Sequence, residues 1–410
     1  MDASHDNKLI QNIFRAHAPR LRASRLPIKH RKAIDAITTC RTAERGTSVY
    51  RCEAEGSVKS VHHSCRHRSC WLCAQRRRHQ WVEAQSERLL DCGHFHVVFT
   101  LPAEYRTLWR FNRRWFVEAL FATASSTLLE LMKDERHQGV TPGIVMALHT
   151  WGRQLALHPH VHCVVTGGGL DRGGRWKSSG EYLLPVAVVK ALYRGRLQAR
   201  VKDAFEAGEL SLPPDWDEDR FRRCYRQAYR KPWAVRIEPR YVHGRGVLKY
   251  LARYLRGGPL SPRQIVRCDA RRIGFRYKDH RDGRRKVLEL RPEEFTRRLL
   301  EHVPEDGQHG VRHYGLYGSA AREKRNRCRE SVGGLSEVRL GERPRPVGPI
   351  CRCGAPLVLL LRVRGRRSRK ANSNGMGHAR ARASSDERFV QQVDEPDTAS
   401  AEKRSLRLRL

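Results

Sequence analysis

Two histidines flank one valine, His160-Val161-His162, in the run LALHPHVHCVVTGGG. In a strand, alternate side chains share a face. His160, His162 and Val164 are therefore expected on one side, with Val161, Cys163 and Val165 in the core. Two imidazoles at adjacent same-face positions converge on one ion, and Gly167–Gly169 ends the strand openly. The spacing alone does not separate a ligand from packing, since His94-Phe95-His96 repeats it in GHFHVVFTLP. Downstream, GRGVLKYLARYLRGGPLSP predicts a helix over Val247–Arg256, with Val247, Leu248, Leu251 and Leu255 on one stripe and Gly257-Gly258-Pro259 as its stop. Tyr250 and Tyr254 fall one helical turn apart, at the edge of that stripe. Their rings can pack while their hydroxyls face a cleft. Beside a metal that polarises a phosphate, either hydroxyl can attack in line and form a phosphotyrosine bond. Tyr225 and Tyr229 have the same spacing in RRCYRQAYRK, where no apolar stripe is evident.

The other chemistry-bearing cluster is CRTAERGTSVYRCEAEGSVKSVHHSCRHRSCWLC, which holds Cys40, Cys52, Cys65, Cys70 and Cys73. Cys70-Trp-Leu-Cys73 has the two-residue spacing that lets both thiolates face one tetrahedral zinc. The upstream element, Cys52-Glu-Ala-Glu55, carries a carboxylate where a second sulfur would stand. The expected zinc set is Cys52, Cys70 and Cys73 with Cys65, or with Glu55 in its place. A segment this small and apolar-poor needs such a staple to fold. Arg66, His67, Arg68, Arg76, Arg77 and Arg78 beside it suit docking on DNA.

These groups sit in a chain of 410 residues in which 81 Lys and Arg oppose 43 Asp and Glu, a net charge of +38. Such a surplus points to a polyanion, above all nucleic acid, because neutralising phosphates releases counterions. The longest apolar run, Leu357–Leu361, is far too short to span a membrane. The opening MDASHDNKLIQNIFRAH lacks the basic-then-apolar order of a secretory signal. The expected location is cytoplasmic and nucleoid-associated, as in bacteria, with reduced thiols, so clustered cysteines read as ligands rather than disulfides. Three zones follow from composition: a lead-in and cysteine module over 1–80, strand-like and helical runs over 81–340, and a basic tail over 341–410. The tail's RGRRSRKANSNGMGHARARASSDE reads as disordered.

With both elements in hand, the chain resembles the two-tyrosine HUH transposases of the insertion-sequence ninety-one family, over about residues 35–335. The blocks that carry the resemblance occur in consistent order. They begin with CRT at Cys40, the CxxxxCxxC run from Cys65, HVVFTLP at His96, HTWG at His149 and HPHVHCVVTGGGL at His158. RW at Arg175, VLKYLARY at Val247, FRYKDH at Phe275, EEF at Glu293 and RHYGLY at Arg312 continue it. The resemblance implies an α+β fold: a small N-terminal zinc-binding module, then an antiparallel sheet flanked by helices. It makes His160 and His162 the metal ligands and Tyr250 and Tyr254 the nucleophiles. HVVFTLP becomes the neighbouring central strand, and the pair His94/His96 a coincidence on it. The departures lie in the zinc module, where Glu55, Ser48, Ser69 and Trp71 replace a cysteine, two histidines and a proline of the family pattern. Cys351-Arg-Cys353-Gly looks like a worn second zinc half-site and is expected to bind nothing.

The implied activity is rolling-circle transposition: cleavage and rejoining of single-stranded element ends and target through a 5′-phosphotyrosine. The implied ion is Mg²⁺ or Mn²⁺, which leaves open positions for phosphate oxygens. His96, Gln154 and Glu238 are candidates for its third ligand. No GxxxxGK[ST] loop is present, so unwinding falls to a host helicase or the replication machinery. Trp71, Trp176 and Trp233 are candidates for stacking on bases. Two other readings are a metallohydrolase built on His158, His160 and His162, and a non-catalytic zinc DNA-binding protein left by a decayed transposase.

Overall fold

The computed structural model describes residues 3–244, 246–248, 251–252, 258–279, 282–332 and 349–365. Tyr250, Tyr254, Leu255 and the segment 366–410 lie outside the described residues. The N-terminal part contains α1 (Ala3–Ala23), α2 (Ile28–Thr38), β1 (Gly46–Cys52), β2 (Val58–His62) and α3 (Trp71–Ser86). Next come β3 (His94–Thr100), α4 (Arg106–Phe111), α5 (Arg113–Lys133), β4 (Gly143–Trp151) and β5 (Leu157–Thr166). They are followed by β6 (Gly168–Leu170), β7 (Trp176–Ser178), α6 (Val186–Glu206), α7 (Glu218–Arg230) and β8 (Val235–Ile237). The last described elements are β9 (Ile265–Cys268), β10 (Ile273–Lys278), β11 (Arg285–Leu290), α8 (Pro292–Glu301), β12 (Val311–Gly315), α9 (Arg322–Ser331) and β13 (Leu357–Arg364).

The fold is α+β, and its centre is a five-stranded antiparallel sheet in the order β12-β4-β5-β3-β8. Period-two alternation sorts each strand's side chains between two layers. Val161, Cys163 and Val165 of β5 join Ile144, Met146 and Leu148 of β4 and Val97 and Phe99 of β3 in the main core. Helix α5 covers that face because Val117, Leu120, Phe121, Ala124, Leu128 and Leu131 recur at helical spacing. The opposite face presents Val145, Ala147 and Val164 to Trp81 of α3, to Leu316 and Tyr317, and to Val247, Leu248, Leu251 and Ala252. Residues 246–248 and 251–252 are helical, as the apolar stripe predicts. HVVFTLP does supply the strand next to β5, with Val98 opposite His162.

The N-terminal module packs α1, α2 and the start of α3 around Phe14, Ile34, Ile37 and Leu72, against Leu300 and Val303. Its hairpin β1–β2 pairs Thr47 with His62 and Arg51 with Val58. Strand β13, inside the zone that composition assigns to the tail, completes this sheet in the order β13-β1-β2. LVLLLRVR is a short apolar run among arginines, and averaged composition hides it. A further sheet, β11-β10-β9, packs Ile273 and Phe275 on Phe295 of α8 and Ile13 of α1. Among the described residues, no helix is long and apolar enough to cross a membrane.

Candidate metal centres

Strand β5 behaves as its alternation requires. His160 and His162 share the face of Val164, and the antiparallel register with β4 sets His149 directly opposite His160 and Ala147 opposite His162. One nitrogen from each of His149, His160 and His162 lies within 4.8 Å of the others. Ring centroids are 4.3 Å apart for His149–His162, 4.7 Å for His160–His162 and 5.4 Å for His149–His160. The third member of this group is His149, not His96, Gln154 or Glu238. Gln154 instead donates its amide to the Tyr277 hydroxyl at 3.0 Å, and Glu238 pairs with Arg236 at 2.9 Å. His158 is not in the trio, which removes the geometry that a His158/His160/His162 centre needs. Its ring instead has Arg106 3.3 Å from Nδ1.

Burial holds all three imidazoles neutral, the form that ligates metal. His160 is pushed down to about 3, by burial first and then by His158 beside it. His149 and His162 lie well below the ordinary range for the same first reason. Neighbours also orient the rings. His160 Nδ1 donates to the His158 carbonyl at 2.6 Å, which leaves Nε2 as the free lone pair. His162 Nδ1 is 2.8 Å from His96 Nε2, and the two rings stack at 5.0 Å. Burial holds His96 to about 4, so this contact joins two neutral imidazoles and fixes the orientation of the His162 ring. The pair His94/His96 therefore splits. His94 is structural, with Nδ1 2.8 Å from the Cys92 carbonyl and Nε2 2.7 Å from the Tyr317 hydroxyl. His96 packs on the imidazole group through His162.

Tyr225 and Tyr229 lie on α7, which buries Phe221, Cys224 and Ala228 in the core on the other side of the sheet. An apolar stripe does exist there, contrary to expectation, but it faces away from the histidines. Trp233 is 2% exposed and donates to the Ala228 carbonyl at 2.9 Å, so it is core and stacks on no base. Trp71 is half-buried beneath the Arg78 guanidinium, 4.2 Å above its ring, and Trp176 is half-buried against the second core layer.

The cysteines form two clusters, not one. Cys40 joins Cys65, Cys70 and Cys73, whose sulfurs lie within 4.8 Å of one another. Cys73 Sγ is 3.6 Å from both Cys40 and Cys65. Cys40 takes the place expected of Cys52, and Glu55 is not the alternative fourth donor. The reason is the hairpin: its open end brings the residues before β1 and after β2 together, with Arg41 N donating to the His63 carbonyl at 3.0 Å. Cys52 ends β1, roughly 20 Å away at about 3.3 Å per residue. Thiol donation from Cys65 first, and then from Cys70, draws Cys40 down to about 7. Donation from Cys40, Cys65 and Cys70 lowers Cys73 as well. A CRT block around Cys40 was the available signal, but spacing does not rank it above Cys52. The four thiols fit a structural zinc in ligand type and number.

Comparisons with known proteins match both regions of the chain. A family described as a transposase zinc-binding domain matches residues 13–101, and one described as a putative transposase matches residues 143–325. The chain is 35% identical over 334 residues to a putative transposase, y4qJ, of Sinorhizobium fredii, covering 79% of this chain and 84% of that one. It is 32% identical over 297 residues to the transposase for insertion sequence element IS801 of Pseudomonas savastanoi pv. phaseolicola, covering 70% and 69%. No solved structure matches. Similarity that extends over most of two transposases, together with the two matched domains, places this chain in the IS91 family of transposases, with an N-terminal zinc-binding domain.

Proposed function

We propose that this transposase works by a rolling-circle route, cutting and rejoining single DNA strands with Tyr250 and Tyr254 as nucleophiles and His149, His160 and His162 as ligands of one divalent ion. One observation carries the reading. Val247, Leu248, Leu251 and Ala252 are buried against Val145, Ala147 and Val164, the sheet face that also bears the three imidazoles. The chain on both sides of position 250 is thus anchored on the histidine face.

Bound there, Mg²⁺ or Mn²⁺ would polarise the scissile phosphate, and an all-imidazole donor set suits Mn²⁺ better than Mg²⁺. The chain's own part is the attack. A tyrosine oxygen bonds to phosphorus and gives up its proton. The bond from phosphorus to the 3′-oxygen breaks, and that oxygen takes up a proton as a free 3′-OH. The 5′-phosphate stays on the tyrosine. Phosphodiester energy is conserved in that link, so rejoining needs no ATP. The second tyrosine can then take the recipient strand or the far end. The surplus of basic side chains tracks the strand. A host helicase or the replication machinery opens the duplex, in the nucleoid.

The test is incubation with a labelled single-stranded element end, with Mn²⁺, with Mg²⁺ and with EDTA. An SDS-resistant protein–DNA adduct that needs the ion is expected. DNA binding without any adduct, at any metal concentration, would overturn the reading in favour of a non-catalytic zinc DNA-binding protein.

A further inference from the structure

At the closed end of the β1–β2 hairpin, away from the four-thiol cluster, stands another group of donors. Cys52 and Glu55 come from the hairpin turn, and Cys351 and Cys353 from the turn before β13. Three sulfurs and one carboxylate oxygen lie within 4.8 Å of one another. Cys52 Sγ is 3.6 Å from Cys353 Sγ, and Glu55 Oε2 is 3.1 Å from Cys351 Sγ. We propose that Cys52, Glu55, Cys351 and Cys353 form a second zinc site, which fastens β13 to the N-terminal hairpin.

The sulfur spacing fits an ion. A tetrahedral zinc with Zn–S near 2.3 Å and Zn–O near 2.0–2.2 Å sets sulfurs about 3.8 Å apart and sulfur from oxygen about 3.5–3.7 Å. Cys52 and Cys353 stand close to that spacing, while Glu55 Oε2 and Cys351 Sγ, in hydrogen-bond contact at 3.1 Å, would part by about half an ångström around the ion. Chemistry agrees: three thiols and a carboxylate crowded together repel once ionised, unless a cation lies among them. The turns are also shaped for it. Gly56 N donates to the Cys52 carbonyl at 2.8 Å, and Cys52 N to the Ser57 carbonyl at 2.8 Å. Across the gap, Gly354 N donates to the Cys351 carbonyl at 3.1 Å. Gly56 has φ +69° and Gly354 has φ +91°, left-handed conformations that keep both turns tight.

The site also answers a question of stability. Strand β13 pairs along β1 from Gly46–Arg364 to Cys52–Leu357, yet only Leu357 of its eight residues is buried. So little apolar burial holds a strand weakly, and its contact with β1 closes a loop of about 300 residues, at an entropic cost. A metal shared between the two turns supplies what burial does not. Cys351-Arg-Cys353 is then a working half-site whose partner is Cys52 and Glu55, rather than a worn one.

The proposal is independent of the nuclease reading, and its test keeps the two apart. Zinc per chain is measured by native mass spectrometry on full-length protein carrying His160→Ala and His162→Ala, so that no zinc at the imidazoles is counted. Adding Cys351→Ser and Cys353→Ser should remove one zinc and leave the other. Glu55→Gln, an exposed change that spares the fold, should speed release of one zinc to a chelator by about tenfold and leave the second unchanged. Glu55→Cys should slow that same release. Equal zinc content with and without Cys351 and Cys353 would overturn the site. So would an intact mass showing a Cys52–Cys353 disulfide in the freshly purified chain, or release rates indifferent to Glu55.

Discussion

The imidazole triad and the four-thiol cluster both gather donors at a point, but by opposite means. His149 and His160 are register partners on adjacent central strands, with His162 two residues on. The ladder sets their separation, and the His158 carbonyl and the His96 ring set their orientation. The thiols come from the chain after α2, from the loop before α3 and from the first turn of α3 itself. Cys70 and Cys73 are linked by a turn, but Cys40 and Cys65 reach them only because the hairpin closes. A sheet can hold a ligand geometry before metal arrives, whereas a loop cluster takes its geometry from the metal. Removing metal should therefore stop chemistry at the first and undo structure at the second.

The largest effect is expected at the tyrosines, which need the triad's side of the molecule to be the working face. Tyr250→Phe with Tyr254→Phe should lower the SDS-resistant adduct by on the order of 10⁴-fold or more, as loss of a nucleophile does. Tyr225→Phe with Tyr229→Phe, across the sheet, should leave it within about twofold. An undiminished adduct in the first variant would remove the tyrosine assignment and leave the triad without its reaction.

Next is the four-thiol cluster. Zinc binding in small modules contributes about 10–16 kcal/mol to folding, so Cys40→Ser should cost one zinc and open residues 1–80 to limited proteolysis. Cys52→Ser should leave this cluster's zinc in place. If Cys52→Ser strips it and Cys40→Ser does not, the hairpin argument fails.

At the triad the expectation reverses. His149→Ala should cut strand cleavage by about 10²–10³-fold, comparable to His162→Ala, since ion polarisation is worth several kcal/mol. Unfolding temperature and DNA affinity should change little. His96→Ala, acting through His162, should cost about 10–100-fold and raise the metal concentration needed for half-maximal cleavage. Cleavage indifferent to His149 would return the third ligand to the open field.

The smallest effect uses a buried imidazole outside both clusters. Burial pushes His302 down to about 4, and its Nε2 lies 3.1 Å from the Leu155 carbonyl. Its folded pKa is below its unfolded value near 6.5, so the unfolded chain binds more protons between those values. The contribution is fully present above about pH 6.5 and is lost as pH falls through 4. His302→Gln should reduce the loss of stability between pH 7 and pH 5 by roughly 1–2 kcal/mol, read from urea midpoints. An identical slope in the variant would mean that His302 titrates normally.

Strand periodicity was legible in the chain: His160 and His162 on one face and Val161, Cys163 and Val165 in the core follow from alternation alone. So was the apolar stripe of Val247, Leu248 and Leu251, because helical spacing is local. The types of donor were legible too, in imidazoles and thiols. Membership of the ligand sets was not. His149 enters through the pairing of β4 with β5, whose regular register runs from Ile144–Val165 to His149–His160 and breaks only beyond it. Cys40 displaces Cys52 because a hairpin joins its ends and separates its tip. Cys351 and Cys353 reach Cys52 through a strand pairing that closes a loop of about 300 residues. Trp233 is core because its ring meets Tyr193 of α6 edge-on, a contact that its neighbours in sequence do not reveal. Local residue types and periods determined which elements form and which donors they carry. Only the tertiary structure decided which donors meet, because a metal selects ligands within a few ångströms in space, and loop closure sets those distances independently of spacing along the chain.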